Sequence, residues 1–459
     1  MYHLNEAGDP LRCKAVKGNC PYAPERHFET AEQAREAFEH EQETPLSAFS
    51  RVQPHKMTLS NDVEKLLKGL YDSGLEPYVV GGSVRDSILS GAVPKDIDIE
   101  VFQAESMDQL EKLLKKSGYR VDSVGKSFGV LKLQLKSGDD IDISLPRKDS
   151  KSGDGHRGFD VEVTPDLSME EAAGRRDFTI NALYYSHRDQ QVKDPHGGLA
   201  DYRSGELRHI NEHFAEDPLR VLRGAQFAGR FKMKLAPSTV KLCQDLRTEF
   251  KSLANERLQT EFEKLLSKGD ITYGLDALKV TGWDEEIGLD KLPSEAGEKA
   301  NQAVARAKEA DGDVTVAAAA SILRNSPVGD RRKLANYMIA GDRRQRKAVA
   351  LTTLEAPADY SSKSVKAWAR AAGKTGLTAQ DYYMVTGDSK LRKAAEAVNS
   401  YDAPQPDILT GARVLEVSGR SPGKWIGKLL QEASEAQDAE DFTNYAGAKS
   451  WLQAKLDTV

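Results

Sequence analysis

The sequence predicts an α+β protein: a head built on a small mixed β-sheet, followed by a long all-helical region. Three observations carry this. Between about Leu59 and Asp194, helical segments alternate with short runs that are apolar or have period two, namely "PYVVGG", "DIDIEVF", "GVLKLQLK" and "DIDISLP". After about Asp217 no convincing strand pattern follows, and Ala, Leu, Glu, Lys and Arg dominate segments such as "ERLQTEFEKLLSKG" and "GEKANQAVARAKEA". The length of 459 residues, with 39% hydrophobic and 30% charged residues, describes a soluble globular chain that can bury a full-sized core.

Breaks in composition divide the chain further. Residues 1–53 read as a polar appendage, helical in "FETAEQAREAFEHEQE" with Thr30 as N-cap. The head follows over 54–195, then a helical neck over 196–282, a body over 283–400 and a tail over 401–459. Gly282, Pro327, Pro357 and "DAPQPD" (Asp402 to Asp407) mark the joints between helical parts. No apolar run approaches the roughly 20 residues of a spanning helix, and "MYHLNEAGDP" lacks the regions of a signal peptide, so a cytoplasmic location is expected. Three cysteines, Cys13, Cys20 and Cys243, are too scattered for a disulfide framework. In the appendage His3, Cys13, Cys20 and His27 offer ligands for a structural zinc, at a spacing looser than common zinc motifs. The net charge of -6 gives no global argument for nucleic-acid binding, which leaves local basic patches to hold any such partner.

In the head, Tyr78 to Val80 form a short buried strand, Gly81 and Gly82 a turn, and "SVRDSILSG" a helix of about two turns ending at Gly91. Glycines there let backbone N–H groups approach a phosphate, and the helix N-terminus adds favourable dipole charge. Most Gly-Gly turns are only turns. A few residues later "DIDIEVF" sends Ile97, Ile99 and Val101 to the core and Asp96, Asp98 and Glu100 to the other face. The alternation by itself allows a solvated acidic strand or a metal site; no lysine is interspersed in this run to relieve the like charges. A second hairpin, "GVLKLQLK", "SGDD", "IDISLP", repeats the pattern, and if its second strand lies beside the first, Asp142 completes a three-carboxylate set. Asp139 and Asp140 are read as turn residues.

These residues carry a resemblance. "VVGGSVRDSILSGAVPKDIDIE" resembles the signature of the nucleotidyltransferase superfamily, specifically the class II tRNA nucleotidyltransferase (CCA-adding enzyme) and bacterial poly(A) polymerase family. "RRDFTINAL" (Arg175 to Leu183), "DPHGGLADYRSGELRHI" (Asp194 to Ile210) and "AEDPLRVLRGAQFAGRF" (Ala215 to Phe231) follow in that family's order and approximate spacing. The resemblance implies a nucleotidyltransferase head with an all-helical neck, body and tail. It also implies an enzyme in which an RNA 3'-hydroxyl attacks the α-phosphate of a nucleoside triphosphate and pyrophosphate leaves. By that resemblance Asp96 and Asp98 bind Mg2+, with Asp142 as third catalytic carboxylate and Glu100 a bystander. Gly81, Gly82, Ser83 and Arg85 would bind the triphosphate.

"RRDFTINAL" reads locally as a helix start, with Asp177 as N-cap and Phe178, Ile180 and Leu183 as core. Arg175 and Arg176 supply charge for phosphate, while Asp177 and Asn181, four apart, would hydrogen-bond the ribose. In "EDPLR", Asp217 and Arg220 stand three apart on a helix opening near Pro218. A carboxylate only accepts and a guanidinium only donates, which suits the edges of cytosine and adenine and opposes those of uracil and guanine. The bland alternative is a surface salt bridge. The same resemblance adds Arg223 to the nucleotide-binding residues. "LPRKDSKSGDGHRGFDVEVTPDLS" (Leu145 to Ser168) reads as a mobile loop, which in the family helps switch specificity from C to A. "ANERLQTEFEKLLSKG" resembles a helix that buttresses the base-reading helix, with Leu258, Phe262 and Leu265 as core.

"GDRRKLANYMIAGDRRQRKAV" (Gly329 to Val349) is a local basic surface, with Arg331, Arg332, Arg343 and Arg344 as candidate RNA contacts; a charge run of this kind is otherwise a solvated helix face. Some relatives carry an HD phosphohydrolase domain, which needs several histidines; the last histidine here is His213, so no such site is expected. The expected function is template-independent addition of CCA to tRNA from CTP and ATP, with no membrane partner. The alternatives are a poly(A) polymerase and an RNA-binding pseudoenzyme.

Overall fold

The computed structural model describes residues 2–4, 10–12, 52–94, 96–126, 129–151, 159–164 and 166–457. Its chain divides into two compact units, one running to Ser204 and including Arg208–His213, the other comprising Gly205–Leu207 and everything from Phe214. The helix expected around Thr30 and the ligands Cys13, Cys20 and His27 of the zinc reading lie outside the described residues, and of His3 only the backbone is described, in a strand.

The strands in chain order are β1 (Tyr2–Leu4), β2 (Pro10–Arg12), β3 (Val52–Pro54), β4 (Glu76–Val80), β5 (Asp96–Phe102), β6 (Val121–Asp122) and β7 (Val130–Gln134). They continue as β8 (Asp140–Ser144), β9 (Arg147–Lys151), β10 (Phe159–Val163), β11 (Tyr184–Ser186), β12 (Gln191–Lys193), β13 (Glu206–Leu207) and β14 (Lys234–Leu235). The central sheet runs β3-β12-β11-β4-β5-β8-β7-β6. Among the described strands of this sheet only β5 and β8 pair in parallel, which places the two "DID" runs side by side.

The helices of the first unit are α1 (Asn61–Asp72), α2 (Gly82–Ser90), α3 (Met107–Lys116), α4 (Met169–Ala173) and α5 (Gly198–Ser204). Ser60 caps α1 by accepting from the Val63 amide, and Val63, Leu66, Leu67 and Leu70 recur at the spacing of one helix face. α3 is built alike, capped by Ser106 and burying Met107, Leu110 and Leu114. Both stripes pack with Ile97, Ile99, Ile141 and Ile143 in one core under the sheet. Each fully buried isoleucine is worth roughly 1.5–3 kcal/mol relative to exposure. The opposite face of β5 and β8 carries the acidic residues.

Several expectations need correction. "RRDFTINAL" does not begin an α-helix: it forms a single 3-10 turn over Thr179–Asn181 and then enters β11, so Asp177 is not an N-cap. The turn is held by "DPHGGLADYRSGELRHI". Asp194 caps α5 by accepting from the Gly198 and Leu199 amides, at 2.8 and 2.9 Å, and Thr179 donates to Asp201 at 2.7 Å. A Cβ on Gly198 would lie 2.1 Å from the Thr179 carbonyl oxygen, so only glycine allows this contact. The segment expected to be one mobile loop contains an antiparallel ribbon, β9 with β10. Asp140 is the first residue of β8 rather than part of the turn, while Asp139 is buried and accepts from Ser60 and Ser137.

In the second unit the helices are α6 (Leu219–Phe231), α7 (Pro237–Asp245), α8 (Asn255–Lys268) and α9 (Ile271–Thr281), followed by helices to Leu456. Among the described residues of this unit the strands are one short parallel pair, β13 with β14. α6, α8 and α9 pack closely because Gly229 and Gly274 leave room for Leu265: a Cβ on either would fall 2.6 or 2.4 Å from Leu265 Cδ1. Leu258, Phe262 and Leu265 are core, as the periodicity predicts. Gly282, in the left-handed region at φ 70°, separates α9 from the next helix. Residues near the C-terminus have their own small core around Val414, Phe442 and Leu452.

Candidate active site

The acidic face of β5 and β8 is set by register. Asp96 is opposite Asp140 and Asp98 opposite Asp142, so the carboxylate expected to join Asp96 and Asp98 stands directly beside Asp98. Asp96 and Asp98 are exposed, with isoleucines beneath them. An open cleft of about 1080 Å³ starts at these carboxylates and continues across β7 to Arg120. Asp98 lines this cleft, while one of its carboxylate oxygens lies against the Gly81 turn. Desolvation raises its carboxyl above the usual carboxylate range; Arg176 opposes the rise and Asp142 reinforces it.

The relief that β5 lacks comes from the adjoining hairpin. Lys132 on β7 is paired across from Asp142 and its Nζ lies 3.1 Å from that carboxylate. Among the described residues no group of three or more His, Cys, Asp or Glu side chains forms a ready metal cage. The donor set nevertheless fits a hard divalent cation of the Mg2+ type, which is normally held by one or two carboxylates together with substrate phosphates and water. Asp96 and Asp98, on one strand face about 6–7 Å apart by strand rise, supply those carboxylates.

Glu100 shares their face but not their setting. It is fully buried; Arg175 Nη2 donates to it at 2.6 Å and the Tyr184 hydroxyl at 2.7 Å. That arrangement keeps it out of the cleft. Burial among charges also pushes the Tyr184 hydroxyl well above the usual phenol range.

The glycine turn closes the other side of the site. Gly81 has φ 78°, and a Cβ there would lie 2.9 Å from Arg176 Nη1 and 3.7 Å from Asp98 Oδ2. α2 begins at Gly82 with no side-chain cap, and Ser83 donates its hydroxyl to the Val80 carbonyl at 3.2 Å. Gly91, at φ 65°, ends the helix as expected. Arg85 differs from expectation: it is buried and engages Asp86 and the Asn181 side-chain oxygen. Asn181 also donates to Asp177 at 2.8 Å, and both are buried. A ribose contact from this pair would require the network to open, so its evident role is to brace the turn before β11.

In the second unit Asp217 precedes α6. It accepts from the Leu219 amide at 3.2 Å and from Arg257 Nη2 at 2.7 Å. Arg220 lies in the first turn of α6, its amide bonded to the Asp217 carbonyl. Arg223 faces Glu261 at 3.7 Å and lies over the Phe227 ring. Arg257 and Glu261, one turn apart on α8, thus contact Asp217 and Arg223 of the segment expected to read the base. Lys132, Arg257 and Tyr184 were not singled out by the sequence. The register of the "SGDD" hairpin would have placed Lys132 opposite Asp142; no local signal marks the other two.

The basic surface separates into two sets. Arg331 donates to the carbonyls of Ser326, Arg324 and Thr352, and Arg344 grips Asp313 through two nitrogens and also engages Glu263. These two arginines hold the fold together. Arg332 and Arg343 are exposed.

Comparison with known proteins agrees with this geometry. Residues 77–208 match the family described as poly A polymerase head domain, and residues 232–283 the one described as probable RNA and SrmB-binding site of polymerase A. The multifunctional CCA protein of Nitrosococcus oceani is 40% identical over 210 residues, covering 45% of this chain and 49% of that protein. That of Xanthomonas campestris pv. campestris is 39% identical over 210 residues, covering 45% and 48%. The matched region thus spans about half the length of these curated relatives. In fold, the chain resembles the Bacillus stearothermophilus CCA-adding enzyme in complex with CTP, with TM-score 0.61 and 20% identity, covering 86% of this chain and 97% of that one. It also resembles the Thermotoga maritima CCA-adding enzyme complexed with tRNA, with TM-score 0.62 and 18% identity, covering 88% and 99%. With its ordered motifs, its paired "DID" strands and these matches, residues 77–208 carry a poly A polymerase head domain, and the matched half of the chain is similar to multifunctional CCA proteins.

Proposed function

We propose that this protein is a template-independent nucleotidyltransferase that adds CCA to tRNA 3'-ends from CTP and ATP, releasing pyrophosphate. The observation that carries the reading is the patch of Asp96, Asp98 and Asp142 beside the Gly81 turn. The named activities of the relatives support the choice of substrate.

Mg2+ held by Asp96 and Asp98 would lower the pKa of the attacking hydroxyl and neutralise charge developing at the α-phosphate. The chain's own groups divide the rest of the work. The backbone amides that open α2 are without a side-chain cap and suit phosphate oxygens. Arg176, at the Gly81 turn, adds positive charge where a triphosphate would lie. Lys132, 3.1 Å from Asp142, would limit the repulsion between that carboxylate and Asp98. Asp217, oriented by Arg257, would accept from the exocyclic amine of cytosine or adenine, while Arg220 would donate to their ring acceptors. Mismatching such a pair costs on the order of 1–3 kcal/mol, which favours C and A over U and G. Arg332 and Arg343 would neutralise RNA phosphates.

The test incubates the full chain and Mg2+ with a tRNA lacking its tail, supplying CTP and ATP singly and together. Addition of three nucleotides, with A only after C, is expected. Long A tracts made without CTP would instead establish a poly(A) polymerase, the reading suggested by the name of the matching head domain.

A further inference from the structure

We propose that Glu100 is a positioning residue for nucleotide binding, its buried carboxylate fixing Arg176 against the Gly81 turn beside Asp98. The inference rests on the triphosphate role proposed above for that turn.

The acidic face of β5 changes character along its length. At Asp96 and Asp98 it is open, whereas around Glu100 it is roofed by Tyr78, Phe102, Tyr184 and the alanines of α4. An ionised carboxylate in such surroundings requires charged or hydrogen-bonding partners. Arg175 supplies one to Oε1 and Tyr184 one to Oε2, while Arg176 Nη2 lies 3.9 Å from Oε2. Arg176 then extends past the Tyr184 ring, its guanidinium 5.8 Å from the ring centroid, to the carbonyl of Asn181 at 3.5 Å and the vacant Cβ position of Gly81 at 2.9 Å. Its Nε is buried and has no hydrogen-bond partner among the described residues, so the side chain is held from its far end and by its ring contact.

Glu100 also sets the charge balance. Arg175 and Arg176 are 18% and 15% exposed at the side chain, two poorly solvated cations flanking one carboxylate. Without that carboxylate the guanidiniums repel each other, and Asp98, whose Oδ2 also lies against the Gly81 turn, is a carboxylate near to Arg176. Paired with Asp98, Arg176 would have its charge neutralised by that carboxylate instead of offering it to phosphate at the turn. Glu100→Gln retains the volume and, with its oxygen toward Tyr184, an acceptor for that hydroxyl; it removes the charge and turns the acceptor facing Arg175 into a donor.

The experiment compares Glu100→Gln, Glu100→Asp and Tyr184→Phe in the full chain. ATP and CTP binding is measured by calorimetry without RNA, and kcat and KM with a tRNA lacking its tail. For a Glu100→Gln protein that melts as the wild type does, NTP affinity should fall about tenfold and KM for NTP rise in parallel, with kcat and KM for tRNA within about threefold. Glu100→Asp, which keeps the charge, should recover part of that affinity. NTP affinity within about twofold of wild type, or equal damage to kcat and to KM for tRNA, would overturn the proposal. If Glu100→Gln does not fold, Tyr184→Phe loosens the same carboxylate, and an unchanged NTP affinity there is equally decisive. A wild type that binds NTP but transfers nothing to tRNA would defeat the functional reading while the binding arm still tests Glu100.

Discussion

Asp142 stands directly across a parallel strand pair from Asp98, and Lys132 holds it there at 3.1 Å. The three side chains divide one problem: two like charges are placed together, and a cation from the next strand limits their repulsion. Asp98→Ala should therefore abolish nucleotide transfer, whereas Lys132→Ala should leave measurable transfer and raise the Mg2+ concentration needed for half-maximal rate. Retained transfer in Asp98→Ala would refute the metal assignment.

The raised carboxyl of Asp98 has a consequence for stability. Its pKa is higher in the folded chain than in the unfolded one, so the folded state binds more protons between the two values and loses stability as pH rises through them. At neutral pH the ionised group therefore opposes folding. Asp98→Asn should raise the melting temperature in metal-free buffer while eliminating activity, and Mg2+ should stabilise the wild type more than the variant. Scanning calorimetry with and without Mg2+ reads both effects; a lower melting temperature for Asp98→Asn in metal-free buffer would contradict the account.

Arg257 is bonded to Asp217 at 2.7 Å and lies 40 residues away from it in sequence. Removing it should leave Asp217 in place as a cap for the Leu219 amide but less fixed in orientation. We expect Arg257→Ala to relax base choice, raising incorporation of UTP relative to CTP by about tenfold, equivalent to about 1.4 kcal/mol. Single-nucleotide incorporation assays with each of the four triphosphates measure this.

The four arginines of the basic segment should separate by phenotype. Arg344→Ala removes a two-pronged bond to Asp313 and should cost about 1 kcal/mol of stability, discounted for partial exposure. Arg332→Glu and Arg343→Glu should leave the melting temperature unchanged and weaken tRNA binding, more so at low salt. Filter binding across a salt series beside thermal melts distinguishes the two classes.

Gly274→Ala places a Cβ 2.4 Å from Leu265 Cδ1 and 3.1 Å from the Ala225 carbonyl oxygen, at a close helix crossing whose Leu265 is itself buried. Overpacking of this kind typically costs about 1–3 kcal/mol. Denaturant unfolding should show a lower midpoint for the variant; an unchanged midpoint would mean that α9 moves freely.

The sequence by itself determined much of this protein. Alternation in "DIDIEVF" and "DIDIS" decides which side chains are core, because a strand has period two; the Gly-Gly turn and Gly91 delimit α2; and the 3.6-residue spacing of Leu258, Phe262 and Leu265 assigns the buried face of α8. Local pattern failed where long-range pairing overrides it. "RRDFTINAL" has a helical pattern, but β4 on one side and β12 on the other draw the residues that follow it, Tyr184–Ser186, into the sheet, and Asp201 holds Thr179 in a tight turn. Tertiary structure alone decided which charged residues face the cleft. Asp98 and Glu100 are two residues apart on one face of one strand, yet the first is open and the second is sealed under Tyr184 and Arg175. Likewise Arg343 and Arg344 are neighbours, and only Arg344 meets Asp313. Spacing along a chain specifies a direction; what lies in that direction depends on segments tens of residues away.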